Sequence, residues 1–385
     1  MKEVFSVIGA LFLSVFSFAQ STTQSGLSPD RFDEVIDGKR TGLYTLVTSG
    51  GMEACVTNYG ARLVSLMYQG KDLVLGFDNV SDYRKYRQNY GATVGRYVGR
   101  IYGASFVLDG QVVKLQENGK GVTSHGGYPG FADKVWDVIG CTDSTLTLQY
   151  VSPDGENGFP GELTVRLTYS ITCRKCYSEK EKRFVQTPAL ELNYEATTTQ
   201  PTVLNLTNHS FFNLSGNLQN TVMSELLMVN SDSIATFDEN KNLNGAFLSV
   251  EGTPFDFCHQ PKRIGDRIDE DNEQLRITGG YDHSFVLNTC GDDSKPAASV
   301  YDEDSRIRMA VYTTEPVLHI YSGNGLKGNT PGKQGISYPR RSAICFEAMH
   351  LADSPNHPTF PTTVLRPGDT YRQHTAYVFS SLSGE

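Results

Sequence analysis

Residues 163–172 read LTVRLTYSIT, with an apolar side chain at every odd position and a polar one at every even position. A period of two is typical of a β-strand with one buried face, because successive side chains point to opposite sides of a sheet. The same alternation occurs upstream at Leu146, Leu148 and Tyr150. It returns downstream in residues 190–196, 307–311 and 371–379. These segments predict strands distributed along the whole chain.

Helical periodicity is scarce, and Gly and Pro interrupt the chain at short intervals. That punctuation favours antiparallel sheets over alternating strand–helix units. Residues 152–161 are dense in turn-forming residues, and the charged stretch 174–183 is interpreted as a second loop between strands. Neither an internal repeat nor a change of composition follows residue 30. We therefore predict an all-β fold in which residues 31–385 form one large antiparallel β-sandwich.

The first residues have the composition of a targeting segment. Lys2 precedes an apolar run from Val4 to Phe18, and Ser17-Phe18-Ala19 offers a cleavage site before Gln20. We expect residues 1–19 to be a signal peptide, residues 20–30 to be a flexible linker, and the mature protein to be periplasmic or secreted. The run is short for a membrane span, so we expect no membrane association after cleavage.

Charge and cysteine content exclude several classes of protein. The net charge is −9 and the basic residues are scattered, which argues against a nucleic-acid partner. The seven cysteines are an odd number, so at least one stays free even in an oxidising compartment. Only Cys173 and Cys176 are close in sequence, and without a second pair they predict a local disulfide or two plain thiols, not a metal site.

Polar residues that could carry chemistry are concentrated in short segments rich in Gly, Asn and His. The segments are GRYVGRI (95–101), SHGG (124–127), NLTNHSFFNL (205–214), GGYDHSF (279–285), ICFE (344–347) and DSPNHP (353–358).

Together with ENGFPG (156–161) and EGTPFDF (251–257), these segments resemble the motifs of the aldose 1-epimerase, or galactose mutarotase, family. They occur in the family's order from about Gly42 to Ser380, which covers nearly all of the predicted mature chain. The resemblance implies a galactose mutarotase-like supersandwich with an open sugar cleft. It also implies interconversion of the α and β anomers of free aldoses, without an organic cofactor.

The resemblance assigns the two catalytic roles. The general base corresponds to Glu347, and the general acid corresponds to His209. On residue type alone, Glu347 would be interpreted as a surface-strand residue in a salt bridge and His209 as a satisfied core histidine. Partial burial between Phe346 and Ala348 could keep the pKa of Glu347 in a useful range. A nearby carboxylate would keep His209 protonated at neutral pH.

Four further residues correspond to sugar contacts: Arg100, His125, Asp282 and His319. Asp282 suits this role because one carboxylate accepts two hydrogen bonds, although a turn residue before a strand is the structural alternative. His319 stands where relatives carry Gln, and Gly99 stands where many carry Asn. Met349 also replaces a common Gln. These departures predict retained epimerase chemistry with a shifted sugar preference.

Two alternatives accompany this interpretation. A sibling epimerase with another substrate, such as a hexose 6-phosphate, would need a basic cluster beside the motifs. A non-catalytic sugar-binding protein would have lost Glu347 or His209. We expect a monomer acting on a small sugar. Nothing in the spacing of acidic residues indicates a metal, although an acidic β-protein leaves a structural or stimulatory calcium ion open.

Overall fold

The computed structural model describes residues 23–48, 51–178 and 182–381. Within them the chain is almost entirely β-structure, as the alternating pattern predicts. The strands, numbered in chain order, begin with β1 (Val35–Ile36), β2 (Lys39–Arg40), β3 (Leu43–Val47), β4 (Glu53–Thr57), β5 (Arg62–Tyr68), β6 (Lys71–Asp72), β7 (Ala92–Val94), β8 (Arg100–Tyr102), β9 (Ser105–Leu108), β10 (Gln111–Lys114), β11 (Val122–Ser124), β12 (Asp137–Cys141), β13 (Thr145–Ser152), β14 (Leu163–Ser178) and β15 (Arg183–Thr198).

The second half of the chain continues the series. Its strands are β16 (Thr202–Val203), β17 (Thr207–His209), β18 (Phe211–Phe212), β19 (Leu226–Val229), β20 (Ser231–Phe237), β21 (Leu243–Ser249), β22 (Lys262–Arg263), β23 (Asp282–Leu287), β24 (Ala298–Asp302), β25 (Ile307–Thr313), β26 (Val317–Tyr321), β27 (Ile344–Met349), β28 (Val364–Leu365) and β29 (Tyr371–Ser381).

Two short α-helices, α1 (Val80–Tyr86) and α2 (Glu273–Thr278), join strands in the described part of the chain. Asn79 caps α1 by accepting from the Asp82 amide, and Asn272 caps α2 in the same way. Neither has the length and apolar run needed to cross a bilayer.

Three antiparallel sheets carry the fold. The largest has nine strands in the order β12-β13-β14-β15-β29-β25-β24-β19-β22. A six-stranded sheet has the order β18-β27-β26-β23-β20-β21, and β3 to β6 form a four-stranded sheet. The all-β prediction is confirmed.

The main core lies between these sheets and explains the alternation. On β14 the apolar residues at the odd positions from Leu163 to Ile171 are buried, and on β15 Leu190, Leu192, Tyr194 and Ala196 are buried. Strands β4 and β5 are buried on both faces: one face joins the main core, and on the other Cys55 and Val64 pack with residues of the N-terminal segment and of α1. One hydrophobic cluster includes residues from Leu46 to Phe379, so distant parts of the sequence share a single core.

Two expectations about irregular segments are wrong. Residues 174–183 form no long loop, because β14 runs to Ser178 and β15 starts at Arg183. Their outer ends pair only with each other, so polar residues occupy both faces. Cys173 and Cys176 therefore point to opposite faces of one strand, and all seven cysteines are free.

The second correction concerns the expected flexible linker at residues 20–30. From Thr23 onward this segment packs on the domain: Leu27 is buried, and the Gln24 amide donates to Glu53 Oε1 at 2.8 Å. The expected signal peptide lies outside the described residues.

Candidate active site

A cleft of about 290 Å³ opens on one face of the six-stranded sheet. This volume is at the lower end of small-molecule sites, about 300–1,000 Å³, and suits a single sugar ring. Its lining includes all six residues that the sequence nominated, namely Arg100, His125, His209, Asp282, His319 and Glu347.

Three neighbouring strands present most of the polar groups. In the registers of β23, β26 and β27, Ser284 is opposite His319, and His319 is opposite Glu347. Residues two apart on a strand share a face, so Asp282 and Tyr321 project into the cleft beside them. Antiparallel pairing thus gathers side chains that are far apart in sequence.

Glu347 and His209 meet at the floor of the cleft. The Nε2 atom of His209 lies 3.5 Å from Glu347 Oε1, and both side chains are almost fully buried. On the other edge of the ring, the Cys345 Sγ atom lies 3.6 Å from Nδ1. The ring also stacks on Phe211, with centroids 4.9 Å apart. These contacts fix the imidazole plane so that Nε2 faces the carboxylate.

Burial controls the protonation of this pair. It raises the pKa of Glu347 to about 7 and lowers the pKa of His209 to about 3. The expectation that a nearby carboxylate keeps His209 charged is therefore wrong. The reason is that desolvation of the buried ring, together with the charges of His125 and His319, outweighs the attraction of Asp282.

Asp282 and His319 form a second polar pair. His319 Nε2 lies 2.9 Å from Asp282 Oδ1, and Nδ1 lies 2.9 Å from the Ser284 hydroxyl. Burial acts to raise the pKa of Asp282, but the hydrogen bond and charge of His319 outweigh it and lower that pKa. For His319 burial acts to lower the pKa, and the contact with Asp282 raises it above the ordinary value.

Arg100 and His125 approach from the loops beside these strands. The Arg100 guanidinium donates to the Lys241 carbonyl at 2.8 Å, which ties the β20–β21 hairpin to the cleft wall. The Gly99 amide donates to His125 Nδ1 at 3.4 Å, so the proton of the neutral ring sits on Nε2. Burial lowers the pKa of His125 to about 4, which keeps the ring neutral at physiological pH.

The asparagine side chains of NLTNHSFFNL hold the backbone around His209 in place through hydrogen bonds. Asn205 donates to the His350 carbonyl and accepts the His350 amide, which holds the end of β27. Asn208 donates to the Gly91 carbonyl and to the Tyr169 hydroxyl, each at 2.9 Å. The motif is therefore mostly architectural, and His209 is its side chain that reaches the cleft.

The GRYVGRI, SHGG and ENGFPG segments form one support for His125. Buried Arg96 donates five hydrogen bonds to the loop 152–161, through the Ser152 hydroxyl and the carbonyls of Ser152, Pro153, Pro160 and Gly161. Asn157 of that loop donates to the Gly126 and Pro129 carbonyls. Gly126 is required here, because a Cβ would lie 2.1 Å from the Gly95 carbonyl oxygen.

The described residues contain one group of three possible metal donors, His209, Cys345 and Glu347, within 4.8 Å of one another. The close approach to Cys345 uses Nδ1 of His209, whereas the close approach to Glu347 uses Nε2. The 3.5 Å contact between His209 and Glu347 also places these two groups for proton transfer.

Several residues at the cleft were given no role from the sequence. They are Ser284, Tyr321, Lys241 and Asp353, which line the cleft, and Cys345, which lies behind His209. Ser284 and Cys345 stand two positions from Asp282 and Glu347 in predicted strands, so alternation alone could have placed them on the same face. Lys241 belongs to a hairpin for which the sequence offered no signal.

A family model described as aldose 1-epimerase matches residues 42–378. The chain belongs to the aldose 1-epimerase family. The resemblance inferred from the short motifs is thereby confirmed.

Individual relatives agree with this assignment. The chain is 34% identical over 351 residues to the aldose 1-epimerase of Escherichia coli, with 89% of this chain and 96% of that protein covered. It is 35% identical over 330 residues to the galactose mutarotase of Bos taurus, covering 84% and 90%.

Solved structures reproduce the fold. The GalM/aldose epimerase homologue of C. elegans superposes with a TM-score of 0.78 at 28% identity, over 89% of this chain and all of that one. The galactose 1-epimerase of Lactobacillus acidophilus gives 0.77 at 28% identity, over 91% and 97%. The supersandwich architecture expected for the family is confirmed.

Proposed function

We propose that Glu347 and His209 are the general base and general acid with which this chain opens and recloses aldose rings. The chain is an aldose 1-epimerase, an isomerase that interconverts α and β anomers. The observation that carries the residue roles is the buried pair at the cleft floor, 3.5 Å apart, in which Glu347 has a pKa of about 7. A base whose pKa lies near the working pH is both ionised and able to hold a proton.

The reaction is a balanced pair of proton transfers. Glu347 takes the proton of the anomeric hydroxyl, and that O–H electron pair becomes the C1 carbonyl bond. The bond between C1 and the ring oxygen breaks, and the ring oxygen takes a proton from His209. Rotation about C1–C2 exposes the other carbonyl face, and the reverse steps reclose the ring and restore both groups.

The number of protons held by the Glu347–His209 pair fits this mechanism. The shared proton sits on Glu347, because burial opposes the imidazolium form of His209. The reactive form needs Glu347 ionised and His209 charged. The two forms have the same net charge, so a proton transfer within the 3.5 Å pair converts one into the other.

The remaining polar groups hold the sugar hydroxyls. Asp282 Oδ1 is engaged by His319, which leaves Oδ2 as an acceptor on the open side. His125 offers its Nε2 proton, since Gly99 occupies Nδ1. Arg100 keeps guanidinium N–H groups beyond the one that donates to Lys241, and these suit hydroxyl or ring oxygens.

The charge of the cleft favours a neutral aldose over a sugar phosphate. Among the lining residues, the permanent cations Arg100 and Lys241 are matched by Asp282 and Asp353, so the lining carries no basic cluster for a phosphate. Gly99 and His319 replace amides in the binding shell, and we infer from this a preference among neutral sugars that differs from that of amide-bearing relatives.

Polarimetry of freshly dissolved α-D-galactose and α-D-glucose tests the proposal. The purified protein should accelerate the approach to the equilibrium rotation, and folded Glu347→Gln and His209→Asn variants should lose nearly all of that acceleration. Acceleration that persists in Glu347→Gln would remove Glu347 from the role of base. A folded wild-type protein that accelerates neither sugar would favour a sugar-binding protein.

The apolar run from Val4 to Phe18 supports export to the periplasm or beyond. Cell fractionation and N-terminal sequencing should find the protein outside the cytoplasm with Gln20 as its first residue. We also propose a monomer with no required cofactor. Light scattering, and activity after dialysis against a chelator with and without added calcium, test these two statements.

A further inference from the structure

His319 is held on both edges of its ring by the protein itself. Nε2 meets Asp282 Oδ1, and Nδ1 meets the Ser284 hydroxyl, each at 2.9 Å. The backbone register fixes the same arrangement, because Ser284 is the direct partner of His319 on β23. Neither ring nitrogen is left free to bind a sugar hydroxyl, as a direct contact would require.

Both partners of the ring are compatible with its charged form. A carboxylate accepts hydrogen bonds only, and a serine hydroxyl accepts as readily as it donates. An imidazolium can therefore donate to both Asp282 and Ser284 at once, which a neutral ring cannot do. Glutamine, which the family resemblance places at this position, has an amide NH₂ group and a carbonyl oxygen that could contact the same two partners, but it carries no charge.

Glu347 lies on the other side of the ring. His319 and Glu347 are direct cross-strand partners on β26 and β27. Such pairs have Cβ atoms about 4.5–5.5 Å apart. A charge on His319 therefore stands within Coulombic range of the carboxylate that takes the anomeric proton.

We propose that His319 is a positioning residue: as an imidazolium between Asp282 and Ser284, it aims the free oxygen of Asp282 at the sugar and shifts the action of Glu347 to lower pH. This inference rests on the proposed function, in which Glu347 is the base and Asp282 binds hydroxyl groups.

The surrounding charges are consistent with a cationic ring. The titratable and charged groups that face His319 from the packed elements are Asp282 and His283 on β23, Glu347 on β27, Arg100 on β8, His209 on β17 and His125 after β11. Burial lowers the pKa of His283, as it does those of His125 and His209, so these three rings are neutral. Asp282 and the ionised form of Glu347 raise the pKa of His319, against the cation Arg100, which lowers it.

The sign of the effect on the base follows from Coulomb's law. A positive charge favours the ionised form of Glu347, so it works against the burial that raises that pKa. An opposite charge within about 4–6 Å lowers a carboxyl pKa by about 1–3 units. Loss of the cation should therefore move both limbs of the activity profile, including the one near pH 7, to higher pH.

The test compares His319→Gln with Ser284→Ala and the wild type. For His319→Gln we expect both limbs of the kcat/KM profile to move up by about one pH unit, because the cation no longer favours loss of the proton that the Glu347–His209 pair holds. The ratio of activity at pH 8 to activity at pH 7 should therefore rise about threefold relative to wild type. Ser284→Ala keeps the cation, so its profile should stay at the wild-type position while KM rises.

Nitrogen NMR of ¹⁵N-histidine-labelled full-length protein gives a readout that does not depend on turnover. At pH 7 one ring should show both nitrogens at imidazolium shifts, and that signal should vanish in His319→Gln. Thermal melts establish that each variant is folded.

Three results would overturn the proposal. One is a neutral His319 ring in the NMR spectrum at pH 7. Another is an unmoved kcat/KM profile in a folded His319→Gln. The third is a rise in KM alone at every pH, which would make His319 a direct sugar contact. If the wild type accelerates no aldose, the proposed function fails, and the NMR result alone decides whether His319 is the predicted cation.

Discussion

At the scale of single residues, Glu347 sets the pH range of the reaction. Burial raises its pKa to about 7, and the base must be ionised to take a proton. The reactive form of the Glu347–His209 pair carries one proton in total, so we expect kcat/KM to fall as the pH rises through 7 and that proton is lost, as measured by polarimetry at constant ionic strength. Glu347→Gln should lower kcat by about 10²–10⁴-fold at every pH. A wild-type profile that is flat between pH 5 and 8 would contradict this assignment.

Gly99 is coupled to Ala352 across the cleft rim. Its φ is +79°, and a Cβ added there would lie 2.6 Å from the Ala352 Cβ. Gly99→Asn should therefore destabilise the protein by about 1–3 kcal/mol through overpacking. Adding Ala352→Gly should restore much of the loss, because it removes the atom that clashes.

The same double variant tests sugar preference. It brings an amide to the cleft rim without the clash, so the order of kcat/KM among glucose, galactose, xylose and arabinose should change relative to wild type. Ala352→Gly alone is the matched control. An unchanged order of kcat/KM among the sugars in the folded double variant would show that Gly99 does not determine sugar preference. A Gly99→Asn variant as stable as the wild type would contradict the packing argument.

Residue identity was predictable from the motifs, whereas protonation was not. Sequence nominated Glu347 and His209, and the structure brings both to the cleft floor. The neutral state of His209 depends on full burial, on Phe211 beneath the ring and on Cys345 behind it. Those contacts arise from long-range packing, which the residues beside His209 in the sequence do not reveal.

At the scale of elements, Arg96 joins the segment 95–101 to the loop 152–161. All five of its N–H donors are used, and its side chain is buried. Arg96→Lys supplies three donors, so at least two of the five acceptors lose their partners, at about 1–3 kcal/mol each. We expect a loss of about 2–5 kcal/mol in the free energy of unfolding, measured by urea denaturation.

The damage should reach the cleft through Asn157, which supports the Gly126 and Pro129 carbonyls beside His125. KM for galactose should therefore rise in Arg96→Lys, measured below its unfolding transition. Exposed Arg166, which donates to Gln149, is the control, and Arg166→Lys should change stability by less than about 0.5 kcal/mol. Equal effects of the two substitutions would show that Arg96 does not hold the loop.

The strands with one buried face were predictable because burial imposes the alternation. That rule fails where a strand leaves the sandwich. At the outer ends of β14 and β15 the two strands pair only with each other, so no apolar face is needed and residues 174–183 look like a loop in sequence. The cleft could not be predicted from alternation either, because its walls come from the β20–β21 hairpin and from β8, which are far apart in sequence.

At the scale of the whole molecule, the order of the strands within the sheets could not be predicted from the sequence. Strand β15 pairs with β29, which begins at Tyr371, and this brings together segments separated by most of the second half of the chain. Alternation predicts that both are strands, but it does not select the partner. The family resemblance supplied the architecture that the periodicity left open.

Stability at high pH is limited by buried carboxyl groups, of which Glu225 is the clearest case. It accepts the Leu214 amide at 2.8 Å through Oε1, and Oε2 has no partner among the described residues. Burial raises the pKa of Glu225 from 4.5 to about 8, so the folded state binds a proton that the unfolded chain releases above pH 4.5. Its stabilising effect is complete below about pH 4.5 and is lost as the pH rises through 8.

Glu225→Gln should remove this dependence, because the amide oxygen can still accept from Leu214 and no charge forms. We expect the variant to gain stability over the wild type as the pH rises from 5 to 8, by about 1.4 kcal/mol for each unit of pKa shift that is lost. Urea unfolding at pH 5, 6.5 and 8 measures the difference. Glu303→Gln, at an exposed ion pair with Arg263, is the control and should follow the wild-type curve. If the gap between Glu225→Gln and the wild type did not widen toward pH 8, the carboxyl group would already be ionised in the folded protein, and a buried cation or water would have to stabilise it.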